Sequence, residues 1–544
     1  MMLDFNNFKK KYTMKNIMKN IIKIKFLVLA LVFLTFGSCT EDFLDRPPED
    51  SYNVADFYKT VDQVNTATNT LYSKPWFDYV SNVSWCIGEL SSGNGRTYDA
   101  RNQDFMTFAI TGNHNTLGQA WTSLYAVVAQ SNAIINTVPD AAGEDVPEDL
   151  VNNVVGEAKF IRATAYFYLV RIFGAIPIIL DNVEYVDKAE IPRNTVEDVY
   201  ALIKKDLEYA VANCYTKVRG SNYDANAKVS SGSAKAMLAK IYLYEENYQM
   251  AYSLSNEVIS SGEFKLLGGT EEDGYPGSYY DLFLTKNDNN PETIFSLQWG
   301  TSGEYAEGNA VQSLYGASGI TGFSDGWAAI GPSLDLQDAY EDKVKDERYY
   351  ATIMDPDSYY PDLNGGYTAS SNINFQDTGV GIKKYVVGNP ANLGGGAQQS
   401  YPNNTYVLRY AELLLIHAEA IIKGGGGSLA EAKRSIDKVR NRAGLDDLAS
   451  DPTFEDVFQE RRIELAFEME FWFDVVRLGT TEAINYLADR ERGTWNTDTD
   501  PRTVNSLQYT PTADKLLFPY PTSETINNPA LLLPPVNFDF TKYN

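Results

Sequence analysis

The sequence predicts a mainly α-helical protein built on TPR-like helix pairs, with long irregular loops and a few short strands. Apolar residues recur close to every 3.6 positions near both ends of the chain. Short polar turns separate consecutive helical segments, and antiparallel pairs of this length are the units of TPR-like repeats. Between the ends, residues 262–402 are rich in Gly, Asn, Asp, Ser and Tyr and lack a helical period. We therefore expect a helical scaffold whose long loops carry the function.

The N-terminal segment has the features of a secretory signal. Several lysines precede the apolar run Phe26–Phe36, and the small residues Gly37 and Ser38 follow it. The run is too short to cross a hydrocarbon core of about 30 Å. Because Cys39 comes directly after the small pair, the segment resembles a bacterial lipoprotein signal.

We predict a signal peptide over residues 1–38, lipid attachment at Cys39 and a tether over 39–50. The alternative is an ordinary signal that contains a cysteine. The start codon stays open between Met1, Met14 and Met18.

The first half of the chain holds the clearest helical segments. Thr195 and Asp198 have the spacing of a helix start, and Glu245–Asn247 is a polar turn between two helices. The predicted helices are Gln119–Val138, Val151–Phe173, Val196–Ala212, Ser230–Tyr244 and Tyr248–Ser260.

The second half repeats this pattern near its end. Tyr406–Lys423 and Leu429–Ala443 are a predicted pair around Gly424–Gly427. These glycines indicate a helix end and a turn, and not a phosphate loop, because no Lys-Ser/Thr follows them. Gln459–Arg477 is apolar on most sides, which predicts one buried helix.

The buried helix also carries charges, which are stable near a core only when they are paired. Arg461 and Glu464 have the i,i+3 spacing of an ion pair. The favoured interpretation is a lattice of ion pairs that locks helices together, and a glycosidase acid/base pair is the alternative. The charged residues are Glu460, Arg461, Arg462, Glu464 and Glu468, with Arg409, Glu412 and Glu419 elsewhere.

Strands are predicted only at the short runs Thr293–Leu297 and Ile382–Val387. Residues 490–544 are Pro-containing and loop-like. We expect a single domain over 51–544, made of an N-terminal part (about 51–260), a loop-rich insert (about 262–402) and a C-terminal part (about 403–544).

The composition excludes several classes of function. Without residues 1–38, the net charge falls from −26 to −32, which argues against nucleic acid as a partner. Only Cys86 and Cys214 remain beside Cys39, so one disulfide is the most that can form, and a cysteine metal cluster is excluded. The chain has only two histidines, His114 and His417, which excludes a His-rich zinc site. We expect no metal at the functional site and no cofactor, and a structural Ca²⁺ stays open.

Several segments of the chain carry recognisable motifs. They are Phe458–Glu468 with Phe471–Arg477 and Gly479, Leu408–Ala420, Phe518–Pro521 with Glu524 and Asn528-Pro529, Phe43–Asp45, Trp121–Asn132 and Glu157–Pro177. Together these motifs resemble the SusD/RagB family of outer-membrane glycan-binding lipoproteins of Bacteroidetes. The chain departs from the family at three positions: Met469 stands where the family prefers Gly, Phe471 where it prefers Arg, and Leu478 where it prefers Trp.

The resemblance implies a SusD-like fold for 51–544 and a lipoprotein exposed on the cell outer membrane. It implies capture of an oligo- or polysaccharide without catalysis, and delivery to a SusC-like TonB-dependent transporter. Two alternatives stay open: a lipid-anchored glycoside hydrolase, and a TPR-type scaffold that binds peptide or glycoprotein.

A sugar ring presents apolar C–H faces and polar edges, so an exposed aromatic ring beside Asn, Asp, Gln or Arg suits it. Two loop regions combine these residue types, and the resemblance implies a sugar platform in the same parts of the chain. His114 is expected to be solvated, His417 to be a packing residue, and Trp85 to belong to the core. The predicted ligand-binding residues are Trp76, Asn94, Arg96 and Tyr98 in the first region and Tyr305, Tyr315 and Trp327 in the second.

Overall fold

The computed structural model describes residues 57–543 except 189, 218–226, 270–273, 303, 324, 394, 396, 497 and 500, and also Met18, Lys19 and Lys23. The predicted signal peptide, Cys39 and the tether lie outside the described residues, apart from those three positions. The chain divides into two compact units, Met1–Tyr58 and Lys59–Asn544. Among the described residues, no helix has the length and apolar character that a membrane span needs.

Helices dominate the second unit, as predicted. In chain order they are α1 Val61–Thr66, α2 Gln103–Thr107, α3 Asn115–Ala141, α4 Glu148–Phe173, α5 Val196–Asn213, α6 Ser231–Tyr244, α7 Tyr248–Ser261, α8 Val311–Tyr315, α9 Leu334–Ala339, α10 Glu347–Thr352, α11 Tyr410–Ile422, α12 Leu429–Arg442, α13 Phe454–Glu464, α14 Phe471–Val476, α15 Thr480–Ala488 and α16 Thr522–Asn527.

The long helices pack in sequence order, so that α3 contacts α4, α4 contacts α5, α5 contacts α6 and α6 contacts α7. Helix α11 then packs on α7, α12 and α13. Side-chain caps fix the helix starts: the Thr195 hydroxyl accepts the Asp198 N–H at 3.2 Å, and Ser230 does the same for Ser233 at 3.1 Å. The five helices predicted in the first half are confirmed, with ends that differ by a few residues.

The strands are short and form two-stranded pairs. They are β1 Gly95–Arg96, β2 Leu266–Leu267, β3 Gly274–Tyr275, β4 Thr293–Leu297, β5 Gly331–Pro332, β6 Ile353–Met354, β7 Tyr359–Tyr360, β8 Tyr367–Thr368, β9 Gly381–Ile382, β10 Thr405–Arg409, β11 Thr494–Asn496 and β12 Thr503–Asn505. The predicted strand Thr293–Leu297 is confirmed. The predicted strand Ile382–Val387 is only the two-residue β9, which pairs with β6.

Two helix predictions need correction. Tyr406–Lys423 does not begin as a helix, because Thr405–Arg409 pairs antiparallel with β4 and the helix begins only at Tyr410. Gln459–Arg477 is not one helix: α13 ends at Glu464 and α14 begins at Phe471. Between them Phe467 and Met469 have φ of 61° and 70°, which a right-handed helix does not allow.

The predicted lattice of ion pairs is present among the buried helices. Arg409 contacts Glu292, Glu464 and Glu468, and Arg442 contacts Glu292 and Glu464. Burial alone would raise the pKa of the Glu464 carboxyl, but the surrounding guanidinium groups lower it to about 2. The predicted Arg461–Glu464 pair is wrong.

Arg461 instead binds Glu412 and Asp474, both at 2.9 Å. Because packing against α11 and α14 supplies these carboxylates, the i,i+3 spacing within α13 did not predict the partner of Arg461.

Cys86 and Cys214 are both buried and free, so the one disulfide that the composition allowed does not form.

Candidate functional site

An open cleft of about 630 Å³ lies where the N-terminal end of α3 meets the segment around residue 82 and the loop after α8. Most of the residues that line it are polar, and two of them are tryptophans. Among the side chains that line it are Ser81, Asn82, Trp85, His114, Gln119 and Trp327.

One wall of the cleft is π-helical, over Tyr79–Ser84 and Cys86–Ser91. Ser81 and Trp85 are four residues apart, close to one turn of this wide helix, so both reach the same wall. π-Helical turns are rare and often occur at functional sites, because they re-aim side chains within a helix. The local geometry therefore marks this wall as a candidate binding surface.

Trp327 also lines the cleft, and its side chain is 46% exposed. Its main-chain N–H donates to the carbonyl of Ser313 at 2.9 Å, and the N–H of Ala329 donates to the carbonyl of Leu314 at 2.8 Å. The loop is thus tied to α8 on both sides of the ring. Ala328, between them, has φ of 44°, a strained conformation of the kind that concentrates at ligand sites.

The buried carboxylate of Asp325 anchors the loop that carries Trp327. Asp325 accepts hydrogen bonds from the hydroxyls of Tyr401, Thr321 and Ser313 at 2.6, 2.7 and 2.8 Å, and from the N–H of Gln399 at 2.8 Å. Burial opposes the charge on Asp325, but these donors outweigh it and lower the carboxyl pKa. Asp325 thus fixes the base of the loop that presents Trp327.

Tyr98 lies beside the cleft and is 51% exposed. Its N–H donates to the Gln376 amide oxygen at 2.6 Å, and the Gln376 amide nitrogen donates to the carbonyl of Ala328 at 2.7 Å. One glutamine side chain therefore joins the loop of Tyr98 to the loop of Trp327.

Arg96 is 3% exposed, so the expectation of a loop guanidinium open to ligand is wrong. Its Nε donates to the carbonyl of Arg492 at 3.1 Å, its Nη1 donates to the carbonyl of Gln376, and its guanidinium lies 4.2 Å from the centre of the Tyr98 ring. Arg96 supports the Tyr98 ring from within, because strand β1 turns its side chain inward.

Tyr305 is 71% exposed. Its hydroxyl donates to the Asp78 carboxylate at 2.6 Å, and the amide of Asn82 donates to the same oxygen at 3.3 Å. Because Asn82 lines the cleft, Tyr305 is connected to it through Asp78. Three predicted aromatic residues, Tyr98, Tyr305 and Trp327, therefore present exposed rings at or around one cleft.

The other predicted site residues are buried. Trp76 is 1% exposed and donates from Nε1 to the carbonyl of Leu71 at 2.8 Å, so the expectation of an exposed ring is wrong. Tyr315 is fully buried against Phe467, with the ring centres 5.5 Å apart. Asn94 is fully buried too.

Asn94 joins two ionisable residues of the core. Its amide nitrogen donates to Glu89 at 3.2 Å and its amide oxygen accepts from Arg462 at 3.0 Å. Trp76, Tyr315 and Asn94 are buried by packing against elements distant in sequence, so local sequence did not predict their burial.

The sequence interpretation missed Asn82 and Gln119, which line the cleft. Trp85 is buried, as expected, yet it also belongs to the cleft wall. The Trp85 Nε1 and the Ser81 Oγ have no hydrogen-bond partner among the described residues. Polar residues inside the otherwise apolar run 79–90 were the available signal, but π-helical spacing is not readable from sequence.

The two histidines have separate surroundings. His114 lines the cleft, where its Nε2 lies 2.6 Å from the carbonyl of Arg101. His417 packs on Tyr252 and lies 2.9 Å from the Ser435 hydroxyl, as a packing residue would. Among the described residues, no group of three or more His, Cys, Asp or Glu side chains is arranged to hold a metal ion.

Residues 291–534 match the sequence profile of the SusD family, and residues 42–243 match a profile described as "Starch-binding associating with outer membrane". A SusD-like protein of Bacteroides ovatus is 32% identical over 96% of this chain and 100% of its own length. The chain belongs to the SusD family.

Solved structures agree with this family. A structure described "with xylogluco-oligosaccharide" has 30% identity and a TM-score of 0.75, covering 88% of this chain and 99% of that one. A laminarin-binding SusD-like protein shares the fold with a TM-score of 0.67 at 24% identity, covering 87% and 98%. This SusD-family chain therefore has the helical scaffold that its sequence predicted.

Proposed function

We propose that the protein binds a neutral oligo- or polysaccharide at the cleft rimmed by Trp327 and passes it to a TonB-dependent transporter, without catalysis. The observation that carries the proposal is the set of exposed rings Tyr98, Tyr305 and Trp327 around a polar cleft. An aromatic face covers the C–H face of a sugar, while the amides of Asn82 and Gln119 suit its hydroxyls.

The geometry favours a preformed site. Asp325, Gln376 and the main-chain bonds to α8 hold the two loops in place before ligand arrives. Preorganised rings lose little conformational freedom on binding, so their contact area is converted efficiently into affinity. This suits capture of a dilute glycan.

A xylogluco-oligosaccharide is the first ligand to test, because a relative of 30% identity was solved with one. Isothermal titration should include it with laminari- and cello-oligosaccharides. A measurable affinity for at least one of them supports the proposal. No detectable binding to any glycan of a broad neutral panel contradicts it.

The hydrolase alternative has little support in this cleft. A glycosidase needs two carboxyl groups about 5–10 Å apart across the scissile bond. Asp99 is the one carboxylate among the described lining residues, and Arg101 binds it with a separation of 2.7 Å. Incubation with the bound glycan should release no new reducing ends.

Location and delivery rest on the family and on Cys39. The matched profile is described as associating with the outer membrane, and a lipid on Cys39 would tether the protein there. Cys39→Ala should leave the protein exported but release it from the membrane fraction. Mild detergent extraction of the wild type should recover a large β-barrel transporter; a partner-free monomer would contradict delivery.

A further inference from the structure

A second and larger cleft, of about 770 Å³, lies at the other end of α3. Its walls come from the C-terminal half of α3, from α4 and α5, from the loop 180–185 and from the C-terminal tail. Helix α3 connects the two sites, since Gln119 lines the first cleft and Asn136 the second. At 1.5 Å per residue, these positions are about 25 Å apart along the axis.

The base of this cleft is rigidly built. Arg162 pairs with Asp206 at 2.7 Å, and the Tyr543 hydroxyl donates to Asp206 at 2.9 Å, which fastens the tail to α4 and α5. The Lys159 ammonium lies 4.6 Å from the ring centre of Tyr209 and 4.3 Å from that of Tyr543. These contacts fix the positions of the Tyr209 and Tyr543 rings in the wall of the cleft.

The lining combines aromatic surface with hydrogen-bonding edges. The rings of Tyr185, Tyr209, Phe538 and Tyr543 are all partly exposed. Asn136 donates its amide N–H to the carbonyl of Leu180 at 2.9 Å, which orients the amide on the rim. Asp140 is exposed beside it. Rings and oxygen acceptors together are what a sugar needs.

The charges that line the second cleft nearly cancel, which favours a neutral ligand. The acidic residues Asp140, Asp181 and Glu184 nearly balance the basic Lys159 and Lys542, and Arg162 is neutralised by Asp206. Glu184 is itself bound by Lys542 at 2.8 Å. A lining without a dominant sign gives no advantage to an ionic ligand, and the charged rim disfavours a lipid chain.

We propose that this cleft is a second carbohydrate-binding site, so that one polysaccharide chain contacts both clefts of the same molecule. The inference rests on the proposed function for the class of ligand only. Linking two weak contacts through one polymer raises the apparent affinity, typically by about 10²–10⁴-fold when the spacing fits. A bound polysaccharide would then stay held at one cleft while it is released from the other.

The test compares a short oligosaccharide with its parent polysaccharide on four variants of the full mature chain. Tyr185→Ala and Asp140→Ala alter the second cleft, Trp327→Ala alters the first, and Tyr359→Ala removes a 57% exposed ring that lines neither. Melting temperature is recorded for each. Stoichiometry of the oligosaccharide is the primary readout.

We expect two equivalents for the wild type and for Tyr359→Ala, and one equivalent for Tyr185→Ala and for Trp327→Ala. Asp140→Ala should weaken one of the two equivalents. The polysaccharide should lose at least tenfold in affinity with either aromatic variant. One equivalent in the wild type, abolished by Trp327→Ala, would overturn the second site and leave the proposed function intact. A wild type that binds no glycan would overturn both.

Discussion

The amide oxygen of Gln376 accepts a hydrogen bond from the main-chain N–H of Tyr98 at 2.6 Å. Through its amide nitrogen, the same side chain donates to the carbonyl of Ala328, next to Trp327. Gln376 has φ of 53°, and Asp377 after it has φ of 60°, so this turn is strained where it supports the two aromatic loops.

Gln376→Ala should therefore weaken glycan binding although Gln376 does not line the cleft. Two hydrogen bonds that fix the loops are lost, each worth about 1 kcal/mol net. We expect about a tenfold loss of affinity, measured by isothermal titration. A variant with native affinity would show that the two loops keep their positions without Gln376.

The unpartnered N–H of Trp85 offers a second test. Trp85→Phe keeps an aromatic ring in the wall but removes the donor, so a ligand oxygen that binds it would lose about 0.5–1.5 kcal/mol, or roughly three- to tenfold in affinity. Trp472→Phe is the matched control, because Trp472 is equally buried, also lacks a partner for Nε1 among the described residues, and does not line the cleft. Equal affinities for the two variants would exclude the Trp85 N–H as a donor to the ligand.

The buried ion-pair lattice should dominate acid stability. The folded pKa of Glu464 is about 2, against an ordinary value of 4.5, so its contribution is present above about pH 4.5 and is lost as the pH falls toward 2. Glu470 and Asp474 are depressed to about 2 in the same way, since arginines and Lys240 outweigh burial. Urea unfolding between pH 7 and pH 2.5 should show a steep fall in the free energy of unfolding in that window.

Glu464→Gln should remove the part of this pH dependence that Glu464 contributes and leave the parts that come from Glu470 and Asp474. It leaves Arg409 and Arg442 without one carboxylate, which costs about 3–5 kcal/mol for a broken buried pair. Asp446→Asn, which breaks an exposed pair with Lys345, should leave the free energy of unfolding close to that of the wild type. Similar losses for the two variants would contradict a structural role for the lattice.

Local sequence signals predicted the helical scaffold well. Thr195 caps α5 where the sequence predicted a helix start, and α6 begins one residue after the predicted Ser230, which is its cap. The apolar period of α4 runs along a helix that is buried for most of its length. These features depend on neighbours within one turn. Strand β10 was missed because Thr405–Arg409 is a strand only through its pairing with β4, more than 100 residues earlier.

The predicted site residues also fall into two groups, those whose exposure local sequence predicted and those that tertiary contacts bury. Exposed rings at Tyr98, Tyr305 and Trp327 follow from aromatic residues in polar loops. Trp76 has similar neighbours, yet Tyr168 on α4 packs against it with ring centres 6.2 Å apart. That contact, like the inward turn of Arg96 and the π-helical wall, depends on tertiary packing that no local pattern encodes.

The central claim is that Trp327 binds sugar and does not support the fold. Isothermal titration of wild type, Trp327→Ala and Tyr359→Ala with a xylogluco-oligosaccharide, or with the tightest glycan of the panel, tests it most directly. Loss of the ring should cost on the order of 1–3 kcal/mol, or about ten- to a hundredfold in affinity, with the melting temperature unchanged. Native affinity in Trp327→Ala, or a weakened affinity that only follows loss of folded protein, would contradict the account.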